Sequence, residues 1–345
     1  GNMTPYEKVK RLIPNHQIAY QNGELSCRRF WPINKIDICS TDKEYKDIIA
    51  NATNLLQNNL QLTTLKWNKE KVAISMTGGC DSKTTLSCAK EVYDKFDYFS
   101  YTSSEAENID AEAARQICEK LNLPHKIYQI PEHDEEYADI EIWRSILEQN
   151  TGNIGKQNKN DVRKRIFFTQ HRDFDVEVKS WVSEVARAYY NKRFKKRSFP
   201  IKVKARYLTT MYKVFFTERK LVKDTDKVFE AYLQQYYNDD VLGKVSWTDL
   251  LFWEYRVGAW NGLVISNEHS LSYDITIPYN NRKILELLLS APLEKRIDDV
   301  CHKDIQKLAN IEIANMDMSV TNLKHTTKRA YIERLYYEVQ SRLPF

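Results

Sequence analysis

The sequence predicts an α/β fold: a parallel sheet with helices on both faces, continued by a helical C-terminal part. Three observations carry this. Between Val72 and Ile130, short apolar runs alternate with helical periodicity at a spacing of roughly 30 residues, the pattern of βαβ units with right-handed crossovers. The first run breaks at Gly78-Gly79, where a helix begins. Beyond about Tyr207, the apolar spacing is almost entirely helical.

In chain order, Leu12–Tyr20 and Leu25–Trp31 flank Asn22-Gly23, a strong hairpin signal. Thr41-Asp42-Lys43-Glu44 has the form of a capping box, and Tyr45, Ile48, Ile49, Ala52, Leu55 and Leu56 recur behind it at helical spacing. Lys66–Lys71 is a polar link. Strand Val72–Ser75, helix Ser82–Tyr93, strand Tyr98–Tyr101, helix Ala111–Leu121 and strand Lys126–Ile130 follow. Thr151–Gly155 and the polar run Lys156–Lys164 read as a mobile loop, and a strand returns at Val176–Val178. Helices are expected over Tyr207–Lys220, Asp226–Tyr237, Ser246–Trp260, Asn281–Leu289 and Thr326–Leu343. Trp247, Trp253 and Trp260 read as core packing rather than a ligand cage.

The 345 residues allow one large or two ordinary domains, with 42% hydrophobic and 29% charged residues. An excess of 52 basic over 47 acidic residues is too small to argue for nucleic acid by itself. The run Lys192-Arg193-Phe194-Lys195-Lys196-Arg197, with Lys202, Lys204 and Arg206, is the most basic patch, and a solvated face is its plainer explanation. No apolar run reaches the roughly 20 residues of a membrane span, no secretory signal is visible, and the chain reads as cytoplasmic. Six cysteines show no Cys-x-x-Cys pair, and the histidines lack zinc spacing.

Val72–Ser75, the glycine turn and the helix after it aim backbone N–H groups at one spot, which makes an anion site. The glycine spacing fits neither the P-loop pattern nor the dinucleotide fingerprint. Thr77-Gly78-Gly79-Cys80-Asp81-Ser82 resembles the Ser-Gly-Gly-x-Asp-Ser pyrophosphate loop of the N-type ATP pyrophosphatases, with Thr for the first Ser. A turn that merely needs two glycines is the plainer alternative. Cys80 falls within this loop at a position where the family tolerates many residues.

Further segments resemble the synthetase domain of the asparagine synthetase family. Ser183-Glu184 through Tyr190 is similar to its acidic segment. Asp274–Arg282 is similar to Glu-x-Arg-x-Pro-Phe-Leu-Asp, and Ser290–Arg296 with His302-Lys303 to the stretch that follows. Arg28-Arg29-Phe30-Trp31 resembles the segment after that family's glutaminase domain. The resemblance covers about Ile13–Leu308. It implies an adenine nucleotide alpha-hydrolase-like fold, with residues 1–40 as the end of a glutaminase domain and 41–345 as the ATP pyrophosphatase domain.

It also implies an amide-forming ligase that joins AMP to a carboxylate, releases pyrophosphate, and passes the acyl group to ammonia or an amine. ATP and Mg²⁺ are the implied cofactors. Thr77, Gly78, Gly79, Asp81, Ser82 and Ser103 would bind the nucleotide, Asp81 and Glu184 the metal, and Lys303 or Lys324 would be the catalytic lysine. Partners would be a carboxylate acceptor, an ammonia or amine donor and, in place of the N-terminal cysteine nucleophile of a glutaminase, a separate glutaminase subunit. A membrane or nucleic-acid partner is not expected. An RNA-modifying enzyme and a nucleotide-binding subunit without catalysis are the alternatives. The sequence departs from the family at Trp181 and Val182, which stand for glycines, at Thr276 for an arginine and at Asn281 for an aspartate.

Overall fold

Strand β1 (His16–Gln21) pairs antiparallel with β2 (Glu24–Arg29) about Asn22-Gly23, whose φ angles of 53° and 83° suit a tight turn. The hairpin root is tied to the body. Arg29 Nη2 donates to Glu254 Oε2 at 2.9 Å, Asn15 Nδ2 to Glu254 Oε1 at 2.9 Å, and Trp31 Nε1 to Glu286 Oε1 at 2.7 Å. The computed structural model describes all residues except 1, 5, 153–156, 213–217, 264, 266–268, 317–327 and 344–345.

Five strands form one parallel sheet: β3 (Val72–Ser75), β4 (Asp97–Thr102), β5 (His125–Gln129), β6 (Val176–Val178) and β7 (Asp274–Thr276). Their order is β5-β4-β3-β6-β7. Alternate side chains sort to two faces. Val72, Ile74, Met76, Tyr98, Val176 and Val178 enter the main core. Ala73, Phe99 and Tyr128 join an aromatic cluster with Phe168, Phe174 and Tyr273.

Helix α1 (Asp42–Lys66) carries the expected capping box at Thr41 and Glu44 and buries Ile49, Leu56 and Leu60. With α2 (Cys80–Cys88) and α3 (Glu105–Lys120) it packs on the main-core face. After α4 (Ile140–Asn150), α5 (Lys159–His171) sends Phe168 into the aromatic cluster on the opposite face. Helices therefore cover both faces, as predicted. The strand order reverses between β3 and its two neighbours, and ligands of such sheets bind at that switch point beyond the strand ends.

The remainder is helical. It comprises α6 (Tyr189–Phe194), α7 (Ala205–Met211), α8 (Arg219–Tyr236), α9 (Asp239–Leu242), α10 (Trp247–Leu251) and α11 (Gly258–Leu263). After β7 come α12 (Arg282–Leu289), α13 (Leu293–Ile297), α14 (Val300–Ala309), α15 (Ile311–Ala314) and α16 (Lys328–Gln340). Among the described residues, no helix is long and apolar enough to cross a membrane.

Several expectations need correction. Of the mobile loop expected over Thr151–Lys164, residues 153–156 lie outside the described residues and Lys159–Lys164 belong to the helix Lys159–His171; Val162 and Ile166, four apart, bury one face that the intervening charges disguise. The helix expected over Ser82–Tyr93 starts at Cys80 and ends at Cys88, and a 3₁₀ turn spans Lys90–Lys95. Ser246–Trp260 is broken by a π-helical stretch at Phe252–Val257. That break leaves Trp260 55% exposed, whereas Trp247 and Trp253 are buried. The basic run is largely engaged within the chain. Lys196 pairs with Glu338 at 2.8 Å, Arg206 Nε with Asp226 at 2.7 Å, and Arg193 and Lys192 with Glu333 and Asp299.

Candidate functional site

The loop after β3 is tied to itself. Ser82 Oγ donates to the Thr77 carbonyl at 2.8 Å, and the Thr77 N–H donates back to Ser82 Oγ at 3.3 Å. The Gly79 N–H donates to Thr77 Oγ1 at 3.1 Å. A Cβ on Gly79 would lie 3.0 Å from that same oxygen, so close approach, not a left-handed backbone, requires glycine here. Gly78 is buried behind the turn. Gly79 caps α2, whose first N–H groups have no partner within the helix. The loop thus opens onto a crevice of about 340 Å³ that Thr77, Gly79, Asp81, Ser82, Lys179 and Glu184 all line. Cys80 does not line it, and burial pushes its thiol up, away from the reactive thiolate.

The acidic segment lies opposite. Val182 holds φ 75° and Ala188 φ 49°, so two left-handed residues bracket the turn Ser183–Arg187. A valine therefore holds a left-handed backbone at a position where the sequence resemblance led to the expectation of a glycine. This bend brings the Ser183 hydroxyl and the Arg187 guanidinium onto the two carboxylate oxygens of Asp81. Arg187 also grips Asp299 through Nε at 2.7 Å and Nη2 at 3.0 Å, and Lys192 pairs with the same carboxylate. Burial costs these groups solvation, yet the contacts with Arg187 and Lys192 hold Asp299 down at about 2. His302 Nε2 lies 3.7 Å from Asp81 Oδ1, and burial pushes the imidazole down to about 4, so it is neutral.

Asp81 and Asp299 are thus matched by Arg187 and Lys192, and among the described residues Glu184 has no ion pair of its own. Its Oε2 is screened from solvent and has no hydrogen bond among the described residues. Burial first, then the Asp81 charge, raise its carboxyl to about 7. A buried, unbonded carboxylate oxygen beside a second carboxylate suits a hard divalent cation such as Mg²⁺. Among the described residues no group of three or more His, Cys, Asp or Glu gathers, so phosphate oxygens and water would complete its shell.

The other predicted site residues fall elsewhere. Ser103 is tied to Glu107 Oε2 at 2.7 Å and to Asn160 Oδ1 at 2.9 Å; Glu107, not Ser103, lines the crevice. Lys303 is exposed and donates to the Asp298 carbonyl at 3.3 Å, so the structure does not bring it to the loop. Its neighbour His302 is the α14 residue that faces Asp81. Lys324 lies outside the described residues. Sequence reasoning missed Arg187, Asp299, Glu177 and Lys179. For the last two a signal existed, because a strand reading Val-Glu-Val-Lys puts charge where a central strand is normally apolar.

No family model matches the chain. Over 63 residues it is 36% identical to a 7-cyano-7-deazaguanine synthase of Clostridium botulinum strain 657, and 33% identical to that of strain Loch Maree. Each match takes in 18% of this chain and spans only 29% of the relative. Among solved structures, the chain is similar to the NMN synthetase from Francisella tularensis, with a TM-score of 0.28 and 14% identity over 80% of this chain and 98% of that one. A likeness that slight carries no argument. The sequence matches support the ATP-using PP-loop pyrophosphatase superfamily and do not single out its asparagine synthetase branch.

Proposed function

We propose that this protein is an ATP-dependent amide-forming ligase. A carboxylate oxygen of the acceptor attacks the α-phosphorus of ATP, and the bond from that phosphorus to pyrophosphate breaks. Ammonia or an amine then displaces AMP from the acyl-adenylate. The observation that carries this reading is the placement of the Thr77–Ser82 loop, which includes Asp81, at the sheet's switch point, lining one crevice together with Glu184. Thr77, Gly78, Gly79 and Ser82 would hold the pyrophosphate, and Asp81 and Glu184 a Mg²⁺ that offsets the charge gathering on it. Arg187 holds the Asp81 carboxylate in its orientation.

The nitrogen source in this reading is ammonia or an amine. Free aspartate is not the acceptor. Asn281 caps α12, accepting from the N–H groups of Lys283 at 2.9 Å and Ile284 at 3.4 Å, and so is committed to the helix rather than to a substrate charge. The engagement of Lys192, Arg193, Lys196 and Arg206 in ion pairs gives the RNA-modifying alternative less support than their sequence suggests.

Exchange of labelled pyrophosphate into ATP, run with a panel of carboxylates, tests the proposal. A carboxylic acid built on a 7-deazaguanine ring belongs in that panel, since the relatives above are named for a cyano-substituted 7-deazaguanine. Exchange that depends on one carboxylate supports the ligase; exchange with none, despite ATP binding, rejects it.

A further inference from the structure

Strand β6 runs between β3 and β7 and continues as Val176-Glu177-Val178-Lys179. Its valines face the main core, so Glu177 and Lys179 face the side where α5 lies. Glu177 is 0% and Lys179 4% exposed. Taking two charges out of water costs several kcal/mol each, and apolar residues at these positions would make a more stable strand. Two such departures on one strand call for a role other than stability.

Lys179 Nζ lies 2.7 Å from Glu177 Oε1 and 4.6 Å from the centre of the Trp181 ring. Neither oxygen of Glu177 receives an aligned hydrogen bond among the described residues, so the contact is an ion pair rather than a closed hydrogen-bonded clasp. Behind it, His269 Nδ1 is 3.8 Å from Glu177 Oε2, and burial pushes this imidazole far down, leaving it neutral. Arg165 of α5, 3% exposed, donates to the Tyr273 hydroxyl at 3.2 Å and is in the field of Glu177. Lys164 pairs with Glu107 at 2.5 Å, and that pair is balanced.

Among the described residues, the buried cluster therefore sets two cations, Arg165 and Lys179, against one carboxylate. On that count one positive charge is in excess, and of the two cations Lys179 is the one that lines the crevice with Thr77 and Ser82. An ammonium has three protons, and Glu177 engages one side of it. We propose that Lys179 binds an oxyanion in the crevice, a phosphate or carboxylate oxygen, and that Glu177 is the positioning residue that aims its ammonium. This inference rests on the reading of the crevice as the ATP and carboxylate site.

Calorimetric titrations of wild type and Lys179→Met with pyrophosphate, AMP, malonate and adenosine test it. The variant is expected to lose about tenfold or more in affinity for the anions while adenosine, which carries no oxyanion, binds as before. Loss against pyrophosphate or AMP identifies a phosphate contact; loss against malonate alone identifies the carboxylate. Unchanged anion affinities, or an equal loss for adenosine, overturn the inference while the ATP reading stands. Wild-type protein that binds neither pyrophosphate nor AMP nor malonate overturns both. If Lys179→Met does not fold, Lys179→Gln, whose neutral amide can still donate to Glu177 and leaves that carboxylate with Arg165, gives the same readout.

Discussion

On the loop side of the crevice, Asp81 and Asp299 are matched by Arg187 and Lys192, and among the described residues Glu184 has no ion pair of its own. On the β6 side, Glu177 is outnumbered by Lys179 and Arg165. One wall thus lacks a cation and the other lacks an anion, which is the arrangement that a metal-bound polyphosphate or carboxylate would satisfy from both sides. The walls also differ in how the chain builds them. The β6 wall is regular strand with charges in core positions, whereas the acidic segment that carries Glu184, opposite the Thr77–Ser82 loop, is a bend held by left-handed residues at Val182 and Ala188. Charge that does not close within the protein is what separates a ligand site from a structural ion-pair network.

Removing a matched charge should cost most. Asp81→Asn leaves Arg187 and Lys192 to share Asp299 alone, and breaking a largely buried pair costs about 2–3 kcal/mol. The same change removes a proposed metal ligand, so pyrophosphate exchange should fall by over about a hundredfold. Denaturant melts and the exchange assay read the two effects. Near-normal exchange with a destabilised fold would make Asp81 purely structural.

Glu184→Gln separates the unmatched carboxylate from the matched one. Exchange should again fall by over about a hundredfold, but stability should move the opposite way. The folded carboxyl, at about 7, lies above its ordinary value of 4.5, so the folded state binds the proton more tightly than the unfolded chain does. This group therefore makes wild-type stability decline as pH rises from about 4.5 to 7, and the decline persists above that. Glutamine has no such term, and the variant should be more stable than wild type by on the order of 2 kcal/mol at pH 8, with little difference at pH 4.5. His302 works in the other direction, since its folded value of about 4 lies below 6.5 and its contribution is lost as pH falls between them. Both proteins carry it, so it cancels in the comparison. A variant less stable than wild type at pH 8 would mean that Glu184 is already paired.

Four of the five strands and the loop were legible in the sequence because their signals are local; the three-residue β7 (Asp274–Thr276) was not. Val72–Ser75 and Val176–Val178 are short apolar-flanked runs, and Gly78-Gly79 marks the turn between strand and helix. What was not legible depends on segments far apart in the chain. Arg187 and Asp299 meet across 112 positions, and no spacing rule pairs them. The α5 helix was hidden because Lys164 and Arg165 are buried charges, which reads locally as a solvated loop. Glu177 and Lys179 were hidden behind the valines that made the strand recognisable.

The bend itself can be weighed at Val182. A β-branched residue at φ 75° is strained by about 1–3 kcal/mol, and glycine removes that strain. Against this, the valine side chain is buried, which is worth about 1.5 kcal/mol or more, and glycine loses roughly 0.5–1 kcal/mol in chain entropy. Val182→Gly should therefore fall within about 1 kcal/mol of wild type and be at least as stable as Val182→Ala. At an unstrained buried site, the order of the two variants would be reversed. Thermal melts of the pair show which case holds for this bend.

The smallest effect is expected at Lys303, and it bears on which wall supplies the cation for catalysis. Lys303 and His302 are adjacent on α14, yet they point to different surroundings. His302 is 1% exposed beside Asp81, while Lys303 is exposed and, among the described residues, holds the Asp298 carbonyl alone. An exposed lysine with one backbone contact contributes little to stability, within about 0.5 kcal/mol. From this position it adds nothing to the charge of either wall. Lys303→Ala should change pyrophosphate exchange less than about twofold, a difference under roughly 0.5 kcal/mol in the barrier. Lys179→Met, measured in the same assay, should show the far larger loss. If the two results are exchanged, with Lys303→Ala crippling exchange and Lys179→Met sparing it, the cation that meets the anionic substrate comes from α14. The excess charge on the β6 wall would then be a feature of the core alone.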